Sequence, residues 1–162
     1  MKREIIKPIE TQWNGYVFRS RLEARYAVLL TTLEIKFLYE PEGYDLGDGI
    51  YYLPDFFITW KPEMVPEHPG SGCYLEIKPT EPTDEEKEKA RRLAAHTMHQ
   101  VWIIWGAPGE HSIWTVSANG YEYRYADGWR VHDGFQFLCH AAGGNFHEAD
   151  AIEAARSERF GT

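Results

Sequence analysis

The stretch Leu75-Glu76-Ile77-Lys78-Pro79, read with Tyr52-Leu53-Pro54-Asp55-Phe56 upstream of it, decides the fold. In an extended chain residues i and i+2 share a face, so Glu76 and Lys78 project together while Leu75 and Ile77 point the other way. Pro54-Asp55 lies in Tyr51 to Ile58, an aromatic and β-branched run that reads as a neighbouring strand. Two carboxylates from adjacent strands beside one ammonium are hard oxygen ligands of the kind that suits Mg²⁺ or Mn²⁺.

Working outward, Leu22, Tyr26, Leu29 and Leu33 recur at helical spacing and predict a helix over 20–34. Ser20 and Glu23 have the Ser-x-x-Glu spacing of a capping box at its start. Ile35, Phe37 and Tyr39 read as a strand broken by Pro41, and Tyr44 to Ile58 as a hairpin turning at Gly47-Asp48-Gly49. Residues 60–72, with three prolines and two glycines, form a loop between strands. A strand over 73–78 follows. Thr83 with Glu86 then opens a charged amphipathic helix over 84–98, whose inner face includes Ala90, Leu93, Ala94 and Met98. Val101 to Trp105 is a continuous apolar run, the mark of a buried strand.

Beyond Gly106 a meander is expected. Ile113 to Val116 and Tyr121 to Tyr125 flank Asn119-Gly120, a favoured hairpin dipeptide, and Asp127-Gly128 suggests a further turn before Trp129. His147 to Arg156 reads as a last helix. The expectation is one α/β domain over 1–162, with the order αβββαβ followed by a β-meander and a short helix. The aromatics Tyr51, Tyr52, Phe56, Phe57, Trp102 and Trp105 are assigned to the core, with Trp13 or Trp60 left as candidates for stacking on bases.

Composition narrows the class. With 162 residues, 43% hydrophobic and 26% charged, the chain is an ordinary globular protein rather than a disordered or fibrous one. A net charge of −8 argues against coating nucleic acid by bulk electrostatics, which needs Lys and Arg. A local basic groove is still compatible with it. Residues 1–25 carry six basic groups (Lys2, Arg3, Lys7, Arg19, Arg21, Arg25) against three acidic ones, and 26–80 carry three against nine. No apolar run reaches membrane-span length and the N-terminus lacks a secretory core, so the expectation is a soluble cytoplasmic protein without a membrane partner. Cys73 and Cys139 read as two buried thiols of a reducing compartment, in preference to a disulfide between them. Cys139-His140 with His147 lacks the second pair of soft ligands that a structural zinc requires.

Taken together, Phe18-Arg19-Ser20-Arg21-Leu22-Glu23, Pro54-Asp55 and Glu76-Ile77-Lys78, with the order αβββαβ over about 18–105, resemble the PD-(D/E)xK nuclease superfamily. More narrowly they are similar to its small phage and bacterial members and to the endonuclease subunits of some transposases. The resemblance implies a Mg²⁺- or Mn²⁺-dependent DNA endonuclease. It implies Asp55, Glu76, the Ile77 backbone carbonyl and Glu23 as metal ligands, and Lys78 as the residue serving the attacking water. Arg19, Arg21 and Arg25 become candidate phosphate contacts, and Gln100, after His96 and His99, a candidate polar site residue from the second helix. It further implies double-stranded or branched DNA as substrate, a partner protein or homodimer, and the cytoplasm of a host if the chain is phage-encoded.

Each assignment has a plainer competitor. Glu23 is also the partner of Ser20 in a cap, and a carboxylate aimed at a metal is unavailable to the Ser20 amide. Glu76 and Lys78 could be an edge-strand ion pair, and the three arginines a solvated helix face. In function, the competing class is a catalytically weak or inactive nuclease-fold module of phage type that binds DNA or a host protein. Cleavage of RNA differs only in substrate.

Overall fold

Asn14-Gly15, with both residues at positive φ, makes a tight two-residue turn between β1 (Thr11–Trp13) and β2 (Tyr16–Phe18). The computed structural model describes residues 8–66, 71–125 and 129–161. The basic residues Lys2, Arg3 and Lys7 and the turn expected at Asp127-Gly128 lie outside them.

Helix α1 (Arg21–Thr32) starts at Ser20, whose side chain accepts from the Glu23 N–H, and it buries Ala24, Tyr26, Ala27, Leu29 and Leu30. Strand β3 (Leu38–Tyr39) is much shorter than the run from Ile35 to Tyr39 suggests. The hairpin expected over 44–58 divides in two. β4 (Tyr44–Asp45) and β5 (Tyr51–Tyr52) pair only with each other, whereas β6 (Phe56–Thr59) joins the main sheet. The division falls at Leu53-Pro54-Asp55, where Pro54 has no N–H to give to a ladder. Asp55 therefore stands just before a strand and not inside one.

β7 (Gly72–Lys78), α2 (Asp84–Thr97) and β8 (Gln100–Trp105) form a parallel crossover unit, and α2 carries both halves of the Thr83/Glu86 capping box. β9 (Ser112–Val116) and β10 (Glu122–Tyr125) extend the same sheet antiparallel, so the main sheet runs β10-β9-β8-β7-β6-β3. β9 and β10 are the expected meander, and the chain departs from an all-β extension only after β10. α3 (Trp129–Ala142) is a helix, followed by the expected one, α4 (Glu148–Ser157), which packs on α1. Gly134 suits the close approach of α3 to β9, since a Cβ there would lie 3.1 Å from Ile113 Cδ1.

Among the described residues the result is a mixed α/β fold with a six-stranded mixed sheet and four helices. Central strand β7 sorts its side chains between two cores. Cys73, Leu75 and Ile77 pack with α1 and α3, while Tyr74 packs with Ala90, Leu93 and Ala94 of α2. By alternation Glu76 and Lys78 share the α2 face with Tyr74. Both cysteines are free and buried. Among the described residues no helix is long and apolar enough to cross a membrane.

Candidate active site

The β6–β7 register pairs Phe56 with Leu75, which sets Asp55 opposite Glu76 one step further along. Directly opposed residues of an antiparallel pair have neighbouring side chains on one face. The backbone fixes Asp55 twice. Its carbonyl accepts the Glu40 N–H at 2.8 Å, and its Oδ2 accepts the Ile77 N–H at 2.8 Å.

The Asp55 and Glu76 carboxyl groups lie near enough to act on each other's protonation, and the Tyr52 hydroxyl acts on Glu76 in the same way. Two neighbouring buried carboxyls cannot both ionise easily, so the pair holds protons tightly. Burial and then the charge of Glu76 hold the Asp55 pKa well above the usual carboxylate range. Burial also raises that of Glu76, against the opposing action of Asp55 and Tyr52 and the charge of Lys78.

Glu23 comes from the first turn of α1. Ser20 Oγ donates to its Oε2 at 2.8 Å and the Tyr39 hydroxyl to its Oε1 at 2.9 Å. The carboxylate is thus committed to these two hydroxyls rather than to the Ser20 amide, which leaves the expected capping box half formed. Tyr39 in turn accepts the Arg19 N–H at 3.0 Å, which links the approach to α1 with β3. Burial, followed by the charge of Asp55, pushes the Glu23 carboxyl up to about 7. Glu23 therefore feels the Asp55–Glu76 pair while its own hydrogen bonds go to Ser20 and Tyr39.

Lys78 Nζ lies 2.9 Å from Glu86 Oε2. Burial opposes its charge, but Glu76, Glu86 and Asp55 together outweigh burial and raise its pKa. A cleft of about 330 Å³ opens over Asp55, Glu76 and Lys78, with Arg19, Glu86 and Lys89 in its walls.

Of the three candidate phosphate contacts only Arg19 lines this cleft, and it is ion-paired with Glu40 at 2.6 Å. Arg21 is exposed outside the lining. The Arg25 guanidinium is taken up elsewhere: it donates to the carbonyls of Ala155 at 2.8 Å and Arg156 at 3.1 Å and lies over the Phe160 ring. That is the role of a basic side chain closing a helix C-terminus, here that of α4. Gln100 pairs in register with Cys73, at the opposite end of β7 from Lys78, and accepts from Trp102 Nε1. It does not reach the cleft. Trp60 is buried, so it offers no platform to a base.

Donor chemistry decides whether a divalent cation fits. Among the described residues no three His, Cys, Asp or Glu side chains already converge as a metal cage. What is present is a buried carboxyl pair and a nearby backbone oxygen. N–H and C=O of one strand residue point to the same side. Ile77 gives its N–H to Asp55, while the Lys78 carbonyl accepts the Gly106 N–H on the β8 side. The Ile77 carbonyl therefore turns toward Asp55. Three hard oxygens with a charge deficit beside them suit Mg²⁺ or Mn²⁺.

Sequence reasoning missed Glu86, Tyr52 and Lys89 as cleft residues. Glu86 was concealed by its cap, and Tyr52 by its aromatic character. Comparison with protein-family models, with curated proteins and with solved structures finds no match to the chain.

Proposed function

We propose that the chain is a divalent-metal-dependent nuclease of PD-(D/E)xK type that hydrolyses DNA phosphodiester bonds endonucleolytically. One observation carries this reading: Asp55 sits opposite Glu76 in the β6–β7 register, with Lys78 on the same strand face and an open cleft above them. The run α1, β3, β6, β7, α2, β8 supports it, since it follows the order of that superfamily's core once the β4–β5 hairpin is set aside.

Asp55, Glu76 and the Ile77 carbonyl would hold the cation, with Glu23 as a further carboxylate at the edge of the pair. The chemistry such a cation supplies is polarisation of a phosphoryl oxygen and acidification of water. Lys78 presents a fixed positive charge to the attacking water and to the charge that builds on the phosphate. Arg19 and Lys89 draw the anionic backbone into the cleft. With a net charge of −8 the chain has little bulk attraction for DNA beyond this cleft's cations. Binding is therefore weak and salt-sensitive, and delivery of double-stranded or branched DNA falls to a partner protein or a second copy. The site of action is the cytoplasm, a host's if the chain is phage-encoded.

A second reading, a nuclease-fold module that binds DNA or a host protein without cutting, is favoured by the Lys78–Glu86 ion pair, which occupies the ammonium. Cleavage of plasmid and branched DNA in Mg²⁺ or Mn²⁺ separates the two. The nuclease reading expects products from wild type and none from Asp55→Ala. If wild type cuts no better than Asp55→Ala, the binding module stands instead.

A further inference from the structure

Glu86 does two things with one carboxylate. Its Oε1 accepts the Thr83 N–H at 2.9 Å, closing the capping box of α2, and its Oε2 lies 2.9 Å from Lys78 Nζ. The box is reciprocal, because the Glu86 N–H donates to Thr83 Oγ1 at 3.1 Å. The carboxylate is thus clamped at the first turn of a fourteen-residue helix and cannot follow Lys78. The connection from Lys78 to Thr83 contains Pro79 and Pro82, whose fixed φ leaves it little freedom. Anchor and lysine therefore keep a constant spacing.

The alternative partner for Lys78 is close. Residues i and i+2 of a strand stand about 7 Å apart on one face, within reach of a lysine stem folding back on Glu76 and its neighbour Asp55. Attraction between opposite charges is strong in such a half-buried place. Yet among the described residues Lys78 makes its ion pair with Glu86 and with neither Asp55 nor Glu76.

We infer that Glu86 is a positioning residue that holds the Lys78 ammonium off the Asp55–Glu76 pair and so keeps the pair open to a divalent cation. The inference rests on the nuclease reading above, and its consequence is a metal affinity that depends on a residue outside the ligand set.

The experiment is Mn²⁺ titration calorimetry on wild type, Glu86→Gln, Lys78→Met and the double variant, with a thermal melt of each. Gln in this box position still accepts from the Thr83 amide, so the cap survives while the charge is lost. Glu86→Gln is expected to melt with wild type and to bind Mn²⁺ about 10- to 100-fold more weakly, the usual consequence of losing an outer partner. In the Lys78→Met background, where no ammonium can fold back, most of that loss should vanish. Unchanged Mn²⁺ affinity in Glu86→Gln overturns the inference, and so does an equal loss in both backgrounds. Should Glu86→Gln melt low, Thr83→Ala removes only the hydroxyl half of the cap and keeps both the Thr83 N–H that holds Glu86 and the ion pair, and Mn²⁺ affinity lost in that variant also overturns it. Wild type that takes up no Mn²⁺ overturns this inference and the nuclease reading together. Wild type that binds Mn²⁺ and cuts DNA while Glu86→Gln keeps its affinity overturns this inference alone.

Discussion

Replacing Glu23 by Gln removes a charge while nearly preserving the shape of the site, and its effect on stability can be worked out in sign and size. The Glu23 carboxyl is buried, and burial with the charge of Asp55 moves its pKa from 4.5 to about 7. A carboxyl whose pKa is higher in the fold than in the unfolded chain binds its proton more tightly when folded. Its contribution is then full below pH 4.5 and is lost as pH rises through about 7. At 1.36 kcal/mol per pH unit, the gap between 4.5 and about 7 corresponds to about 3 kcal/mol, an upper limit. The amide introduced by Glu23→Gln would keep an acceptor for Tyr39, and the Ser20 hydroxyl can rotate to accept from its NH₂. In a chelating buffer at pH 8, Glu23→Gln should therefore be more stable than wild type by about 1–3 kcal/mol. At pH 4.5, where wild type carries its proton, the two should agree. Urea unfolding followed by tryptophan fluorescence at both values measures the difference, with six tryptophans as reporters. A gap that is the same at pH 4.5 and pH 8, or a wild type more stable at pH 8, would refute the electrostatic account.

Two further outcomes follow from residues outside the cleft. His111 is buried against Tyr26 and Phe135, its Nδ1 accepts the Gly109 N–H at 3.0 Å, and burial lowers its pKa from 6.5 to about 4. Its sign is opposite to that of Glu23: the fold resists its protonation, so stability is lost as pH falls from 6.5 towards about 4, by up to about 3 kcal/mol. Glu23→Gln should expose this loss as a urea midpoint that falls over that window, and adding His111→Gln should flatten it; a slope unchanged by the second substitution would count against the assignment. Arg25→Ala should lower stability by about 1–2 kcal/mol, through loss of charged hydrogen bonds to the end of α4. Its DNA binding by fluorescence anisotropy should match wild type, whereas a large loss of affinity with an unchanged melt would return Arg25 to the interface.

The parts of the fold that were legible in the sequence are those whose signals are local and long. β7, α2 and β8 each span enough residues to show a period, and the Thr83/Glu86 box marks where α2 begins. Strands of three residues, such as β1 and β2, are too short to alternate visibly, although Asn14-Gly15 is the same dipeptide that revealed the turn at Asn119-Gly120. In α3, Phe135, Leu138, Cys139 and Ala142 do recur at helical spacing, but Gly134 and the aromatics are weak helix formers. Packing against the sheet overrides that preference. The roles of Arg25 and Gln100 were out of reach for a different reason. Arg25 bonds a carbonyl 130 positions away, and Gln100 lies at the far end of a parallel ladder, so each is fixed by topology rather than by neighbours in sequence.

The site itself shows how an acidic protein could approach a polyanion. Burial, with the charge of a neighbouring carboxylate added for Asp55 and Glu23, makes Asp55, Glu76 and Glu23 hold protons more tightly, and the Lys78 ammonium is paired with Glu86. A fold gains nothing in stability from this arrangement, since one well-placed ammonium against the pair would relieve much of the repulsion. The strain makes physical sense if the positive charge is meant to come from outside. A divalent ion would offset the carboxylates that repel phosphate, and the cleft would then present Arg19, Lys78 and Lys89 with their field less opposed. On the nuclease reading, the −8 of the whole chain would matter less to DNA than the local sum at this one cleft, which would change with whether the Asp55–Glu76 pair held a proton or a metal.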